Sequence, residues 1–239
     1  MPTRWLIAAT VVVVALTTFA TRPLAAPAAA SDGWLATDGL AVVATIEGGG
    51  SVTSETARLD GLQAMIPGPM PFMMTGLSAD EVVAKTWVRV TDHAAEGAGQ
   101  VVRQRDRLFE ASGAGVLLYS IVDGGTSFTN FKPARLELPA DVRDGSTWTW
   151  EGNAFDGEGT DIATVRTLRA ESKATRASDA ALAGQGCLDV TTTQSGEEPD
   201  EPTRTTWCPG RGVVASAVGD EPPTRPGAPA LPTVSADAA

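Results

Sequence analysis

GCLDVTTTQSGEEPDEPTRTTWCPGRGVVAS, Gly186–Ser216, is the stretch whose reading decides the fold. It reads as two strands joined by an acidic loop, and each strand carries one of the chain's two cysteines, Cys187 and Cys208. Pro209 and Gly210 mark a kink or bulge, and Val213 and Val214 resume strand propensity. A turn centred near Glu197–Glu198 leaves Cys187 and Cys208 about ten residues to either side, so a hairpin sets them face to face. Adjacent strands satisfy the Cα separation of roughly 7 Å or less that a bridge requires. An even cysteine count in an oxidising compartment then predicts an intramolecular disulfide.

The same pattern of short runs and turns extends upstream. Gly39–Ile46 is a strand ended by the glycines at 48–50, and Val52–Asp60 is a weaker second one. Residues 62–75, LQAMIPGPMPFMMT, are apolar but broken by Pro67, Pro69 and Pro71, which excludes a helix or a central strand. Ser78 followed by Glu81 forms a capping box, with Leu77 and Val82 at the spacing of a hydrophobic staple, so one short helix starts there. Strands follow at Thr86–Thr91 and Gln100–Ala111, the latter with Arg103, Arg105 and Arg107 on one face because side chains alternate with period two. Gly115–Val122 reads as a more buried strand that returns through the Asp123-Gly124-Gly125 turn to Thr126–Lys132. Pro133–Asp144 reads as a connector, Ser146–Gly152 as a strand with Trp148 and Trp150 on one face, and Ile162–Arg176 as a long polar strand. Ala177–Gly186 is a linker or a helical turn. The fold expected is mainly β: a single curved antiparallel sheet or half-barrel with one short helix.

Composition bounds the rest. Aromatic residues are 5% of the chain, while 25 glycines and 16 prolines make turns frequent, as an all-β domain needs. Arg4 followed by the apolar run Trp5–Ala20 and by Ala28-Ala29-Ala30 has the order of a signal peptide, with cleavage expected between Ala30 and Ser31. The run is short for a membrane span, so no stable span is expected after cleavage. Residues 1–30 hold Arg4 and Arg22 and no acid, so removing them takes the net charge from -11 to -13. Such acidity repels nucleic acid and anionic membrane surfaces, so no nucleic-acid partner is expected. The domains read as 1–30 signal peptide, 31–219 exported β domain and 220–239 disordered Pro/Ala-rich tail. The location expected is secreted or extracytoplasmic.

The order DG-x-x-W-x-W-x-G, a long polar strand, G-C-L-D-V, an acidic turn and W-C-P-G-R-G-V-V resembles exported bacterial proteins of the DUF3108-like and TapB-like group. The matching residues are Gly145, Trp148, Trp150, Cys187, Leu188, Val190, Trp207, Pro209, Gly210, Gly212 and Val213, within Leu136–Ser216. The resemblance implies an antiparallel sheet curved around a helix, loosely akin to LolA-like lipoprotein carriers. By analogy of fold, such a sheet could hold a lipid or lipopeptide.

No reactive constellation stands out. The single histidine, His93, has no serine motif beside it, and a thiol enzyme would need a free cysteine, which the expected disulfide consumes. Both remain the enzymatic alternatives to a binding protein. Asp156, Glu158 and Asp161 lie in one loop but lack the calcium-loop spacing and read as a solvated hairpin tip. Met65, Met70, Met73 and Met74 are soft thioethers that would suit Cu(I), a third alternative. As flexible packing residues, Met70, Met73 and Met74 read better as an apolar flap. With Trp148 and Trp150 they form the candidate ligand contact, although two tryptophans on one strand face also suit a core wall. The function expected is non-catalytic: an exported or cell-envelope protein holding a hydrophobic ligand, with no cofactor, no metal and no catalytic residue.

Overall fold

The structure, a computed structural model, describes residues 33–36, 39, 41–46, 50–59, 77–96, 100–159, 161–196, 202–218 and 225–226. The expected signal peptide, the four methionines at 65–74, the acidic run 197–201 and nearly all of the expected tail lie outside them.

The strands are β1 (Ala41–Ile46), β2 (Gly50–Leu59), β3 (Trp87–Glu96), β4 (Gln100–Ala111), β5 (Gly115–Asp123) and β6 (Ser127–Pro139). They continue as β7 (Thr147–Glu158), β8 (Asp161–Arg176), β9 (Leu188–Ser195), β10 (Thr203–Cys208), β11 (Gly212–Val218) and β12 (Arg225–Pro226). All twelve belong to one sheet in which β1 to β11 each pair antiparallel with the next, and β12 returns to pair with β1. Most neighbouring strands are joined by short connections, as an antiparallel meander allows, while the β2–β3 and β8–β9 connections each carry a short helix.

Bulges interrupt the register at Ala94/Ala95, Leu108/Phe109, Val116/Leu117, Leu118/Ser120, Asp156/Gly157 and Thr206/Trp207. Each bulge bends its strand and adds right-handed twist. The sheet therefore curls into a half-barrel, and β11 comes back against β1 and β12. The contact between Phe109 on β4 and Trp207 on β10, edge to face at 6.2 Å, crosses the hollow of the curl.

The concave face changes character along its length. At the end where β4 finishes and β5 starts, it is packed with Val88, Phe109, Leu118, Phe131, Leu138, Trp150, Leu168, Val190 and Trp207. Leu35, from the segment before β1, is buried in the same cluster. That segment is held by the loop of the opening stretch: the Gly210 N–H donates to the Gly33 carbonyl at 2.6 Å, and Ala36 lies against Gly212. Toward the other end the concave face turns polar, and the candidate site lies there.

Two short helices cover the convex face, one more than expected. The helix α1 (Ala79–Ala84) carries the capping box read from sequence, with the Ser78 hydroxyl on the Glu81 N–H and the Glu81 carboxylate on the Ser78 N–H. Its Val82 packs with Leu77, Trp87, Leu108 and Tyr119. The helix α2 (Ala180–Gly184), capped by Asp179, falls in the stretch read as a linker or helical turn. It lays Leu182 over Cys187, Cys208 and Val214. Those cysteines form a disulfide, and the β9–β10 register that pairs Leu188 with Trp207 places them directly opposite each other.

Two readings of the middle of the chain are corrected. Pro133–Asp144 is not all connector: β6 runs through Pro133 to Pro139, with Pro133 at the register shift opposite Leu118 and Ser120 and beyond the last β7 pair at Lys132, where a sheet tolerates proline. The Asp156–Asp161 loop shrinks to its last residues, since β7 reaches Glu158 and β8 begins at Asp161.

Beneath α1 lies a small buried polar network. Glu110, 7% exposed, accepts from the Lys85 ammonium at 2.7 and 2.8 Å and from the Tyr119 hydroxyl at 2.7 Å. Burial first, and then the hydrogen bond to Glu110, push the Tyr119 hydroxyl far above its ordinary value. The sign follows from linkage. The unfolded chain releases the tyrosine proton above about pH 10 while the folded one keeps it, so this contribution is whole below pH 10 and lost above it. Tyr119 is the sole tyrosine, so its ultraviolet titration reads this group alone. We expect tyrosinate absorbance to rise only as far-ultraviolet circular dichroism is lost. A rise centred near pH 10 in folded protein would contradict the network.

Candidate functional site

Alternation sets what faces the hollow. On β4 the residues that share the face of Phe109 are Arg103, Arg105 and Arg107, as the sequence pattern indicated. They stand opposite Ala94, Asp92 and Val90 of β3. Asp92 is in turn opposite Ser54 of β2. Across the hollow, Val213, Val214, Ala215 and Ser216 of β11 close the space. The result is a cavity of about 230 Å³, bounded also by Val52 and Ala94.

Its lining combines five aliphatic residues with four charged ones and two serines. Asp92 accepts from the Ser54 hydroxyl at 2.6 Å and from Arg107 Nη2 at 2.9–3.1 Å. Arg107 is the deepest of the three arginines, with its side chain 17% exposed and its guanidinium 5.7 Å from the Phe109 ring. Its Nε–H is buried, and among the described residues nothing accepts from it. Such a donor carries a desolvation cost of about 1–3 kcal/mol unless something accepts from it. Arg105 and Arg103 share Asp123 of β5, at 2.8 and 3.2 Å. Burial raises the Asp123 carboxyl, but the hydrogen bonds and charge of Arg105 and Arg103 outweigh it and hold it below its ordinary value.

A second charged group sits farther round the concave face. Asp156 of β7 takes Arg166 Nε at 2.6 Å and the Thr129 hydroxyl at 2.7 Å. Burial pulls its carboxyl up, and Arg166 and Thr129 pull it further down, so it too lies below the ordinary range. The loop read as a solvated tip thus spends its first carboxylate on an internal ion pair. Nothing local signals this, because Arg166 is ten residues away and reaches Asp156 only through the β7–β8 register.

The expected ligand contacts fare differently. Met70, Met73 and Met74 lie outside the described residues. Trp148 and Trp150 do share the concave face, and each indole N–H is spent on a β6 carbonyl, Leu136 and Ala134 respectively, both at 3.1 Å. Trp150 is 6% exposed and packs edge to face on Phe131 at 5.9 Å. These two are core walls, and the cavity lies on the far side of the curl, against β2, β3, β4 and β11. His93 is on the convex face, mid-strand on β3, opposite Thr53 and Gln104 and 4.0 Å from Glu55. Both cysteines are in the disulfide, so neither offers a thiol. Among the described residues no group of three or more His, Cys, Asp or Glu side chains is placed to hold a metal ion.

What reasoning from sequence missed is that the arginine face lines a cavity. The signal was present in the i, i+2, i+4 spacing of three arginines on a strand, where a concave apolar face would carry aliphatic residues. No protein-family model, no curated protein and no solved structure matches this chain.

Proposed function

We propose that this chain is a non-catalytic binding protein of the cell envelope, exported by its N-terminal segment, which holds a hydrophobic ligand on the concave side of its sheet. The observation that carries this reading is the cavity of about 230 Å³ at the polar end of the curl, walled by valine and alanine on one side and by arginine on the other. Ligand sites are concave, largely apolar, and fixed by a few convergent polar groups, which is the composition found here. The volume is below the roughly 300–1,000 Å³ of sites that enclose a drug-sized ligand, so the cavity suits a small ligand or one end of a longer lipid. Kinship with the DUF3108-like and TapB-like group, carried by the W-x-W and W-C-P-G-R-G-V-V motifs, is part of the same proposal. It supports the carrier reading through the curved sheet that this group shares with lipoprotein carriers.

Mass spectrometry of protein purified from its own host tests the reading. Native spectra should show a mass excess that disappears on denaturation and returns as a small organic species. Identical native and denatured masses, together with no uptake of any apolar probe, would remove it.

A further inference from the structure

Resting on that reading, we infer the ligand's class: the cavity binds a single-chain amphiphile with one negative charge, its headgroup on Arg107 and its chain against Val52, Ala94 and Val213. Charge counting points to a monoanion. Among the described residues, three guanidinium groups, Arg103, Arg105 and Arg107, meet two carboxylates, Asp92 and Asp123, at the cavity. One positive charge is left in excess there, and among the described residues nothing accepts from the buried Nε–H of Arg107. A carboxylate or a singly charged phosphate or sulfate ester answers both, because a guanidinium fork matches such an oxyanion in shape and charge.

The surroundings disfavour more than one charge. Glu158 stands at the same end of the sheet, and the chain as a whole is acidic. This field is screened over about 8 Å at physiological ionic strength, so the adjacent arginines dominate for a headgroup inside the cavity. A second charge left outside would meet the acidic end unshielded. A neutral hydroxyl head can accept from the Arg107 donor but leaves the excess positive charge uncompensated. A cationic one meets the excess positive charge.

The test uses the folded chain and four probes of equal chain length, below their micelle concentrations: decanoate, decyl sulfate, decanol and decyltrimethylammonium. Affinity is read by calorimetry. Decanoate and decyl sulfate should both bind at least about 10-fold more tightly than decanol, the scale of one charge-assisted hydrogen bond. If only one of the two anions shows this preference, the source is a carboxylate or an ester head accordingly. Arg107→Gln should bring the anions to the decanol level. Should Arg107→Gln fold poorly, Asp92→Asn provides the second readout, since removing the competing carboxylate should tighten anion binding several-fold.

Ala94→Trp, which fills the cavity, separates the two levels of the proposal. If all four probes bind equally and all are lost in Ala94→Trp, the site stands and the monoanion inference is overturned. If no probe binds, or if Ala94→Trp binds them as the parent does, the binding reading itself falls.

Discussion

Replacing Cys208 by alanine should lower the melting temperature by about 6–12 °C. The Cys187–Cys208 bridge spans a sequence separation of 21. Closing a loop of that size removes chain entropy from the unfolded state worth on the order of 3 kcal/mol. For a domain of this size each 1 kcal/mol moves the midpoint by roughly 2–4 °C. The effect should exceed chain entropy alone, because the buried pair packs with Ala177, Leu182 and Val214 under α2. The same strands grip the segment before β1, so the loss should spread to Leu35 and open the closed end of the concave core. Cys187→Ala with Cys208→Ala should cost no more than either alone, since the bridge is already gone in both singles. A midpoint unchanged by substitution, or by reductant in denatured and refolded protein, would mean that the bridge does not contribute to stability.

Gly115→Ala should destabilise on the order of 3 kcal/mol or more. Gly115 begins β5 at a φ of +143°, a region that side chains rarely adopt. Holding a non-glycine residue in such backbone costs about 1–3 kcal/mol. A Cβ there would also run into the Leu138 carbonyl oxygen, and that neighbour is backbone that cannot rotate away. Forced overpacking adds roughly 1–3 kcal/mol. The damage falls on the β5–β6 pairing of Val116 with Leu138, both fully buried. Gly113→Ala, two residues earlier, has nothing within 4 Å of its new methyl group and should stay within about 0.5 kcal/mol. Equal midpoints for the two variants in urea would show that the close approach at Gly115 is not the reason for the glycine.

Much of the architecture was legible because its determinants are local. The Gly124–Gly125 turn, period-two alternation and the Ser78–Glu81 box each act over a few residues, and these appear where the sequence placed them. The disulfide was legible because one hairpin turn fixes the register of both cysteines. The extent of β6 was hidden by Pro133, since a proline reads as a break and only the register shows that it falls at a bulge. The site was hidden for a different reason. Arg107, Asp92, Ser54 and Val213 come from four strands and meet only because accumulated bulges curl the sheet. A single strand shows which residues share a face; it does not show that the face is concave or what stands across it. Trp148 and Trp150, two aromatics on one strand face, suit a ligand contact or a core wall equally in the sequence. Their indole donors instead find β6 carbonyls, the usual resolution for a buried tryptophan.

The most direct measurement is a map of amide chemical shifts in isotopically labelled protein titrated with decanoate. Perturbations should gather at Val52–Ser54, Asp92–Ala94, Arg103–Arg107 and Val213–Ser216, the four strand segments that line the cavity. Glu151, Arg169 and Glu171, joined on the convex face, should stay still. Shifts confined to that convex face, or spread without regard to the curl, would contradict a binding site in the hollow of the half-barrel.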